Sequence, residues 1–183
     1  VVGRVTREKS YVVRQDDKIV CNVPIDIVTS GIRYEREKKP AVRDFKEPAI
    51  AEPENYNEIA LKILAHPNIS SKAVVYKHYD TNVQGNTIIG PGMADAGLIA
   101  PLRGSSYGIA LKTDSNPRYC RINPYLGGIN AVAEVMRNIA AIGATPTGLT
   151  DCLNFGNPEK PEQFNDFYEG VRGIAYAASN LWY

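Results

Sequence analysis

The sequence predicts an α/β fold in which a mixed sheet is covered by two long helices. Apolar residues recur at helical spacing over residues 129–142 and again over 162–181, and Gly143 is a suitable stop for the first of these helices. The stretches before and between them are short apolar or β-branched runs, as expected of strands. With 183 residues, 44% of them hydrophobic and 22% charged, the chain can form one domain with a core, or one domain and a piece of another.

Residues 1–40 are predicted to form a small β segment. Residues 1–6, 11–15 and 18–23 are rich in β-branched side chains, and a short helix can start at Pro24. Two or three strands alone cannot bury a core. We therefore expect this segment to pack on a neighbouring part or to be mobile.

Residues 41–70 are predicted to form a linker with a short helix. A run of mixed charge over 33–39 is followed by three prolines, which indicates a solvated connector. Apolar residues at helical spacing then predict a helix over 55–65, with Asn55 or Asn57 as its N-cap.

Residues 71–183 are predicted to form the main, truncated domain. Its elements follow from apolar runs separated by glycine, asparagine and proline. A stretch rich in these three residues over 80–96 predicts a long loop, and loops of this length inside a domain are usually functional or mobile. The two helices named above alternate with strands predicted over 74–79, 108–112, 118–122 and 146–153.

Lys112 and Asp114 are candidate site residues at the end of the strand predicted over 108–112. Because they are two residues apart, their side chains are expected to point to the same face of the strand. An amine and a carboxylate on one face suit a phosphate and its Mg²⁺. A surface ion pair is the alternative.

Other cations and glycines in this region could bind an anion. Arg118 and Arg121 could hold phosphates, although a solvated face explains them equally well. Arg137 lies in the middle of a predicted helix and could point at an anion or form an ion pair within the fold. Gly127-Gly128, just before the predicted start of that helix, could offer backbone N–H groups to a phosphate or form only a turn.

The run from Leu149 to Glu162 places a dense set of polar side chains after a predicted strand. Functional residues concentrate on loops that a rigid scaffold holds, so Asp151 could hold a metal ion or a phosphate-bound metal. The alternative is a polar turn in which asparagine side chains satisfy the local backbone. Cys152 has no general base nearby in the sequence and is predicted to be a small packed residue rather than a nucleophile.

The composition excludes several classes of function. The formal net charge of +1 gives no basic surface for nucleic acid or for an anionic membrane. No apolar run approaches the roughly 20 residues that span a bilayer. The three cysteines do not suit a disulfide framework and match no zinc motif, so a cytoplasmic protein is expected, with no nucleic acid and no membrane among its partners.

Four ordered motifs stand out in the main domain, namely Gly108–Tyr119, Asn123–Gly128, Val135–Pro146 and Leu149–Glu162. Together they resemble phosphoribosylformylglycinamidine synthase, the ATP-dependent amidotransferase of de novo purine synthesis. The similarity is to the second half of that enzyme's synthetase subunit. It covers essentially the whole chain and is dense from about residue 76 onwards.

The resemblance implies an aminoimidazole ribonucleotide synthetase N-terminal-like domain with helices on one face of its sheet, preceded by the tail of an earlier domain in residues 1–40. The family's first half carries the working ATP site on a Lys-x-Glu-x-His-Asn-His-Pro segment. Lys112 and Asp114 keep its phosphate and metal character, but Asn116 falls at the catalytic histidine and Asn138 at a metal-binding aspartate. Because asparagine cannot exchange a proton near neutral pH, this half is expected to retain a nucleotide without turnover.

By the same resemblance, Asp151, Lys112 and Asn154 are expected to bind ATP or ADP. Asp114 is expected to bind Mg²⁺ and Arg137 to contact substrate, with no catalytic residue in this piece. The intact protein would convert formylglycinamide ribonucleotide to its amidine, using ATP and ammonia from glutamine. The expected partners are the remainder of the synthetase chain and a glutaminase subunit or domain. The piece is expected to be inactive alone and, because family domains pair their sheets, to tend towards a homodimer.

Two alternatives remain. One is another ATP-binding synthetase of the same superfamily, such as aminoimidazole ribonucleotide synthetase or selenophosphate synthetase, but the run over 151–161 resembles the amidotransferase specifically. A non-catalytic scaffold that binds no nucleotide would explain Asn116 and Asn138.

Overall fold

The computed structural model of the chain describes residues 2–31 and 33–181. The chain divides into two compact units, with the boundary after Glu37. None of the helices in the described ranges is long and apolar enough to cross a membrane.

A β-hairpin and a short helix make up the regular structure of the first unit. Strand β1 (Ser10–Gln15) pairs antiparallel with β2 (Lys18–Pro24), and helix α1 (Ile25–Ser30) follows directly. Asp16 and Asp17 between the strands both have a φ of 47°. Aspartate tolerates this left-handed conformation, which the tight hairpin turn requires.

The strands predicted over 11–15 and 18–23 and the short helix after Pro24 are confirmed. Residues 2–6 are not a strand, because no described residue pairs with them, and residue 1 lies outside the described ranges. None of the described residues of this unit is fully buried, as expected of two strands without a core.

Helix α2 (Tyr56–Leu64) lies in the second unit and confirms the helix predicted over 55–65. The Asn55 side chain caps it, accepting hydrogen bonds from the backbone N–H groups of Asn57 at 3.0 Å and Glu58 at 3.4 Å. These N–H groups have no partner inside the helix, which is why an asparagine marks its start.

Helix α3 (Ala73–Tyr76) is a single turn where the sequence predicts a strand over 74–79. Two valines favour a strand here, but no described strand pairs with them. The Lys72 carbonyl oxygen instead accepts hydrogen bonds from the N–H groups of Val75 at 2.8 Å and Tyr76 at 3.3 Å. Local turn bonds therefore override β propensity at this position.

Three short strands form the sheet of the second unit. Strands β3 (Thr87–Ile89), β4 (Gly97–Ile99) and β5 (Ile109–Leu111) lie in that order, and each pairs antiparallel with its neighbour. The α/β fold class is confirmed, but the described strands form an antiparallel sheet and not a mixed one. Their connections over 90–96 and 100–108 are shorter than the crossover of a dozen or more residues that a parallel pair needs.

The loop predicted over 80–96 is shorter than expected, because a 3₁₀ turn (Val83–Gly85) and β3 occupy its first half. Strand β4 has no counterpart among the predicted elements, since three residues are too few to show an alternating pattern. The strand predicted over 108–112 is confirmed as β5.

Helix α4 (Pro117–Ile122) replaces the strand predicted over 118–122. The Asn116 side chain caps it, accepting hydrogen bonds from the N–H groups of Arg118 at 3.1 Å and Tyr119 at 3.3 Å. Proline fits the first helical position because an N–H there would have no partner. The cap and the proline together start a helix in a sequence with some strand character.

Helix α5 (Pro124–Ala141) is the first of the two long predicted helices, but it begins earlier than its apolar periodicity indicates. Asn123 caps it by accepting a hydrogen bond from the N–H of Leu126 at 3.0 Å. Gly127 and Gly128 therefore lie inside the helix and are buried, so they do not form a turn before it. The prediction that these glycines form a phosphate-binding turn is wrong.

Helix α6 (Pro161–Leu181) confirms the second long helix and packs against α5 to form the core. Glycines allow the close contact. A Cβ on Gly128 would lie 2.5 Å from the carbonyl oxygen of Gly170, and one on Gly173 would lie 2.0 Å from that of Tyr125. The buried apolar side chains of the two helices are Val132, Ile139 and Ala177.

Residues 146–153, predicted as a strand, form none. An apolar run becomes a strand only when a neighbour pairs with its backbone N–H and C=O groups, and no described strand lies beside this one. The segment between α5 and α6 is therefore an irregular connection, and it carries the polar run noted above.

Candidate functional site

Lys112 and Asp114 form an ion pair just beyond the end of β5. The Lys112 Nζ atom lies 3.5 Å from Asp114 Oδ1, and the two side chains are 27% and 12% exposed. Thr113 between them is exposed, as the alternation of an extended backbone requires. An amine and a carboxylate do lie on one face here, with the carboxylate the more deeply placed of the two.

Asn138 binds the second oxygen of this carboxylate. From α5, its Nδ2 donates a hydrogen bond to Asp114 Oδ2 at 2.7 Å. Hydrogen bonds to an ionised acceptor are short and strong, so this contact ties the end of β5 to the helix. From the sequence, Asn138 was noted only as a position where the family has a carboxylate. That it binds Asp114 could not be predicted, because the two residues are 24 positions apart. The available signal was an amide among apolar neighbours in a helix.

Arg137 precedes Asn138 on α5, but its side chain is exposed. It forms no ion pair with any residue in the described part of the chain, so the internal ion pair considered for it is not found there. Its role at a substrate stays a prediction.

A cavity of about 490 Å³ lies between the sheet and α5. Apolar side chains form much of its wall, Lys112 brings a charged group to it, and residues 142–149 form another side. Apolar walls with a few polar groups are typical of a site for a small molecule. The side chains that line it include Leu98, Tyr107, Val135, Met136, Ile139 and Leu149.

The site loop (Asp151–Asn157) follows this wall, and the side chains of Asp151 and Asn154 are exposed. Asn154 Nδ2 donates a hydrogen bond to the Cys152 carbonyl oxygen at 3.0 Å, and Asn157 Oδ1 accepts one from the N–H of Glu159 at 2.9 Å. These asparagines satisfy the local backbone, as the polar-turn alternative predicts. Asp151 differs, because within the described residues its carboxylate takes part in no hydrogen bond or ion pair.

The predicted site residues thus fall into two groups. Lys112 and Asp114 contact each other, and among the described residues no hydrogen bond or ion pair joins either of them to the other three. Of the five residues, only Lys112 lines the cavity, and Leu149, which also lines it, lies two residues before Asp151.

Phe155 and Gly156 fasten the site loop to α6. The Phe155 ring meets the Phe167 ring edge-on, with centroids 5.7 Å apart and planes at 87°. A Cβ on Gly170 would lie 2.6 Å from Phe155 Cζ, and one on Gly156 would lie 2.2 Å from Gln163 Oε1. Gly170 is therefore needed for the Phe155 ring to fit, whereas a side chain at Gly156 would require the Gln163 side chain to move. This anchor is not among the features predicted from the sequence, although an aromatic residue inside a polar run was a visible signal.

The remaining candidate groups offer little chemistry. Cys21, Cys120 and Cys152 are free, and burial raises the pKa of the Cys120 thiol. Cys152 is exposed and not packed as predicted, because the strand expected to bury it does not form. In the described ranges no group of three or more His, Cys, Asp or Glu side chains could hold a metal ion. Asp114 could take Mg²⁺ only together with phosphate oxygens and water, which is a usual mode for this ion.

Known proteins show extensive similarity to this chain. Residues 93–180 match the family model described as AIR synthase related protein, N-terminal domain. The chain is 60% identical over 182 residues to the phosphoribosylformylglycinamidine synthase subunit PurL of Methanothrix thermoacetophila, an alignment that covers 100% of this chain and 24% of that protein. The PurL subunits of Methanocaldococcus jannaschii and Moorella thermoacetica are 41% and 43% identical, over 97% and 99% of this chain and 24% and 25% of theirs.

The resemblance inferred from the four sequence motifs is therefore confirmed. The chain spans about a quarter of the length of the curated relatives it matches.

Proposed function

We propose that this chain is the auxiliary nucleotide-binding part of a phosphoribosylformylglycinamidine synthase, because residues 93–180 match the family model described as AIR synthase related protein, N-terminal domain. The observation that carries the proposal is the ion pair of Lys112 and Asp114, which lies at the end of β5 beside a cavity of about 490 Å³. Similarity to PurL subunits along the whole chain supports the same assignment.

In this proposal the cavity takes ATP or ADP. Its apolar wall suits a flat base, and the Lys112 amine attracts phosphate oxygens as a compact positive charge. Asp151 contacts the nucleotide, which agrees with a carboxylate that has no partner among the described residues. Asn154 would have to give up its bond to the local backbone to do the same. The exposed Arg137 is assigned to the substrate.

Asp114 would hold a Mg²⁺ ion that arrives with the nucleotide phosphates. One carboxylate is enough for this mode of binding, because phosphate oxygens and water supply the other ligands. Both oxygens of Asp114 already have one partner each, Lys112 and Asn138, so the ion would use a lone pair that these contacts leave free. When bound, it would neutralise phosphate charge.

No residue of this piece is assigned to proton transfer. Asn116, at the position of the family's catalytic histidine, caps α4 through its side-chain oxygen. An amide cannot exchange a proton near neutral pH, and this one is already committed to the backbone. We therefore propose that the piece is inactive alone.

The whole enzyme, in this proposal, converts formylglycinamide ribonucleotide to formylglycinamidine ribonucleotide in the cytoplasm. ATP activates the amide, and a glutaminase subunit or domain supplies ammonia from glutamine. The remainder of the synthetase chain provides the catalytic half.

On β5, the side chains of Ile109 and Leu111 share one face and are 49% and 58% exposed, which supports a neighbour on that face. Without it, two copies of the piece would pair there as a homodimer.

A scaffold that binds no nucleotide is the second candidate. Two observations favour it. Asp114 is already bound by Lys112 and Asn138, and Asn116 by the backbone, so these groups are satisfied without a ligand. Such a half would support its partner half only through packing.

Calorimetric titration of ADP with Mg²⁺ into the full chain that carries this sequence separates the two candidates by the number of sites. The proposal expects one site in addition to the working site of the other half, and Asp151→Ala should weaken binding at this additional site about tenfold or more, the scale of a charged hydrogen bond. Glu47→Ala, which removes a carboxylate from an exposed residue in the same unit, is the matched control and should not change the affinity. An unchanged affinity at the additional site in Asp151→Ala would overturn the assignment of this residue, and a parent chain with the working site alone would favour the scaffold.

A further inference from the structure

The strap (residues 38–43) lies along the first two turns of α6, although the sequence predicts a solvated connector there. The Lys39 N–H donates to a backbone carbonyl at the start of α6 at 3.3 Å, and Lys39 Nζ lies 3.3 Å from Glu162 Oε1. The Lys38 Nζ atom sits 3.6 Å from the centre of the Tyr168 ring, a cation–π contact. A basic segment thus covers an acidic and aromatic stretch of the helix.

Arg43 makes the least exposed of these charged contacts. Its guanidinium pairs with Asp166 Oδ2, and the two side chains are 21% and 26% exposed, compared with 64% and 42% for Lys39 and Glu162. Exposed ion pairs contribute little because water and salt screen them, whereas a partly buried pair is screened less. The pair of Arg43 and Asp166 therefore contributes most to holding the strap on α6.

Asp166 lies beside the residue that supports the site loop. Gln163 is three positions before it on α6, and side chains at this spacing are neighbours. Gly156 of the site loop packs directly on Gln163, since a Cβ there would lie 2.2 Å from Gln163 Oε1. Gln163 Oε1 and Asp166 Oδ1 are both buried without a hydrogen-bond donor in the described part of the chain. The positions of the Gln163 and Asp166 side chains therefore depend on the residues that pack around them.

We propose that Arg43 is a positioning residue for the site loop: by pairing with Asp166 it keeps Gln163 packed against Gly156, and so fixes the place of Asp151. Without Arg43, the Asp166 carboxylate would turn towards water, because a partly buried charge without a partner is unfavourable. The strap would leave the helix, and Gln163 would lose its fixed neighbour. The link to nucleotide affinity rests on the function proposed above, but the link to the position of the loop does not.

Hydrogen exchange followed by mass spectrometry in the full chain tests the effect on the loop. Arg43→Ala should speed exchange in peptides covering residues 151–157 about threefold to tenfold, with exchange in α5 unchanged. Lys46→Ala, which removes the same charge from an exposed residue three positions away, is the matched control and should leave the loop unchanged. Arg43→Lys, which keeps the charge, should restore most of the protection.

Two outcomes would overturn the proposal. One is loop exchange in Arg43→Ala equal to that in Lys46→Ala. The other is faster exchange in α5 and the loop alike, which would show general destabilisation. The affinity of the additional site for ADP and Mg²⁺ should fall about threefold to tenfold in Arg43→Ala and recover in Arg43→Lys. If the parent chain has only the working site of the other half, the proposed function fails, while the exchange data still decide the role of Arg43.

Discussion

Replacing Asn138 with aspartate tests whether a second carboxylate beside Asp114 creates a binding site for a divalent cation. Asn138 Nδ2 donates to Asp114 Oδ2 at 2.7 Å, so Asn138→Asp places a carboxylate oxygen where a donor now lies. The Asp114 side chain is only 12% exposed, and water therefore screens the new pair of charges poorly.

Four contributions set the expected loss of stability. The hydrogen bond to a charged acceptor, about 1.5–3 kcal/mol, is lost. Two like charges about 4 Å apart repel by about 4 kcal/mol at an effective dielectric constant of 20. Lys112, with its Nζ 3.5 Å from the other oxygen, and uptake of a proton by the pair both reduce this repulsion. The free energy of unfolding should fall by about 2–4 kcal/mol in the presence of EDTA.

A divalent cation should reverse much of this loss. An ion at about 100 times its dissociation constant stabilises the folded state by about 2.7 kcal/mol. The assay is denaturant unfolding with EDTA and with excess Mg²⁺, together with Mn²⁺ binding measured by electron paramagnetic resonance. Asn138→Ala removes the hydrogen bond without adding charge, and it should gain nothing from Mg²⁺. The reasoning is refuted if Asn138→Asp matches the parent chain in EDTA, or binds Mn²⁺ no more tightly than Asn138→Ala.

Two further predictions concern α6. Gly173→Ala should lower the free energy of unfolding by about 1–3 kcal/mol, because its Cβ would lie 2.0 Å from the Tyr125 carbonyl oxygen. Gly148→Ala, which has nothing within 4 Å of the added Cβ, is its control in denaturant unfolding, and equal stability of the two variants would contradict the tight crossing. The N–H of Glu162 and then the Lys39 amine lower the pKa of Glu162, so its contribution to stability is present above the ordinary glutamate pKa and is lost as pH falls through the lowered value. Carboxyl NMR titration should show this, and a midpoint at or above the ordinary value would count against the docked strap.

The long helices and the Asn55 cap followed from local pattern. An apolar stripe at helical spacing and a side chain that bonds the first N–H groups are properties of a few neighbouring residues. The strands were predicted less well. The runs over 74–79 and 118–122 have strand character but form helical turns, because strands depend on a paired neighbour elsewhere in the chain.

The sequence by itself determined the resemblance to phosphoribosylformylglycinamidine synthase, the two long helices and the placement of Lys112 and Asp114 on one face, since these depend on motifs and on spacing within one element. Only the tertiary structure decided that Asn138 binds Asp114 and that Arg43, 123 residues from Asp166, anchors the strap. It also decided that Gly127 and Gly128 serve helix packing rather than a phosphate. Contacts between distant residues arise from how the helices pack, and no local pattern encodes that geometry.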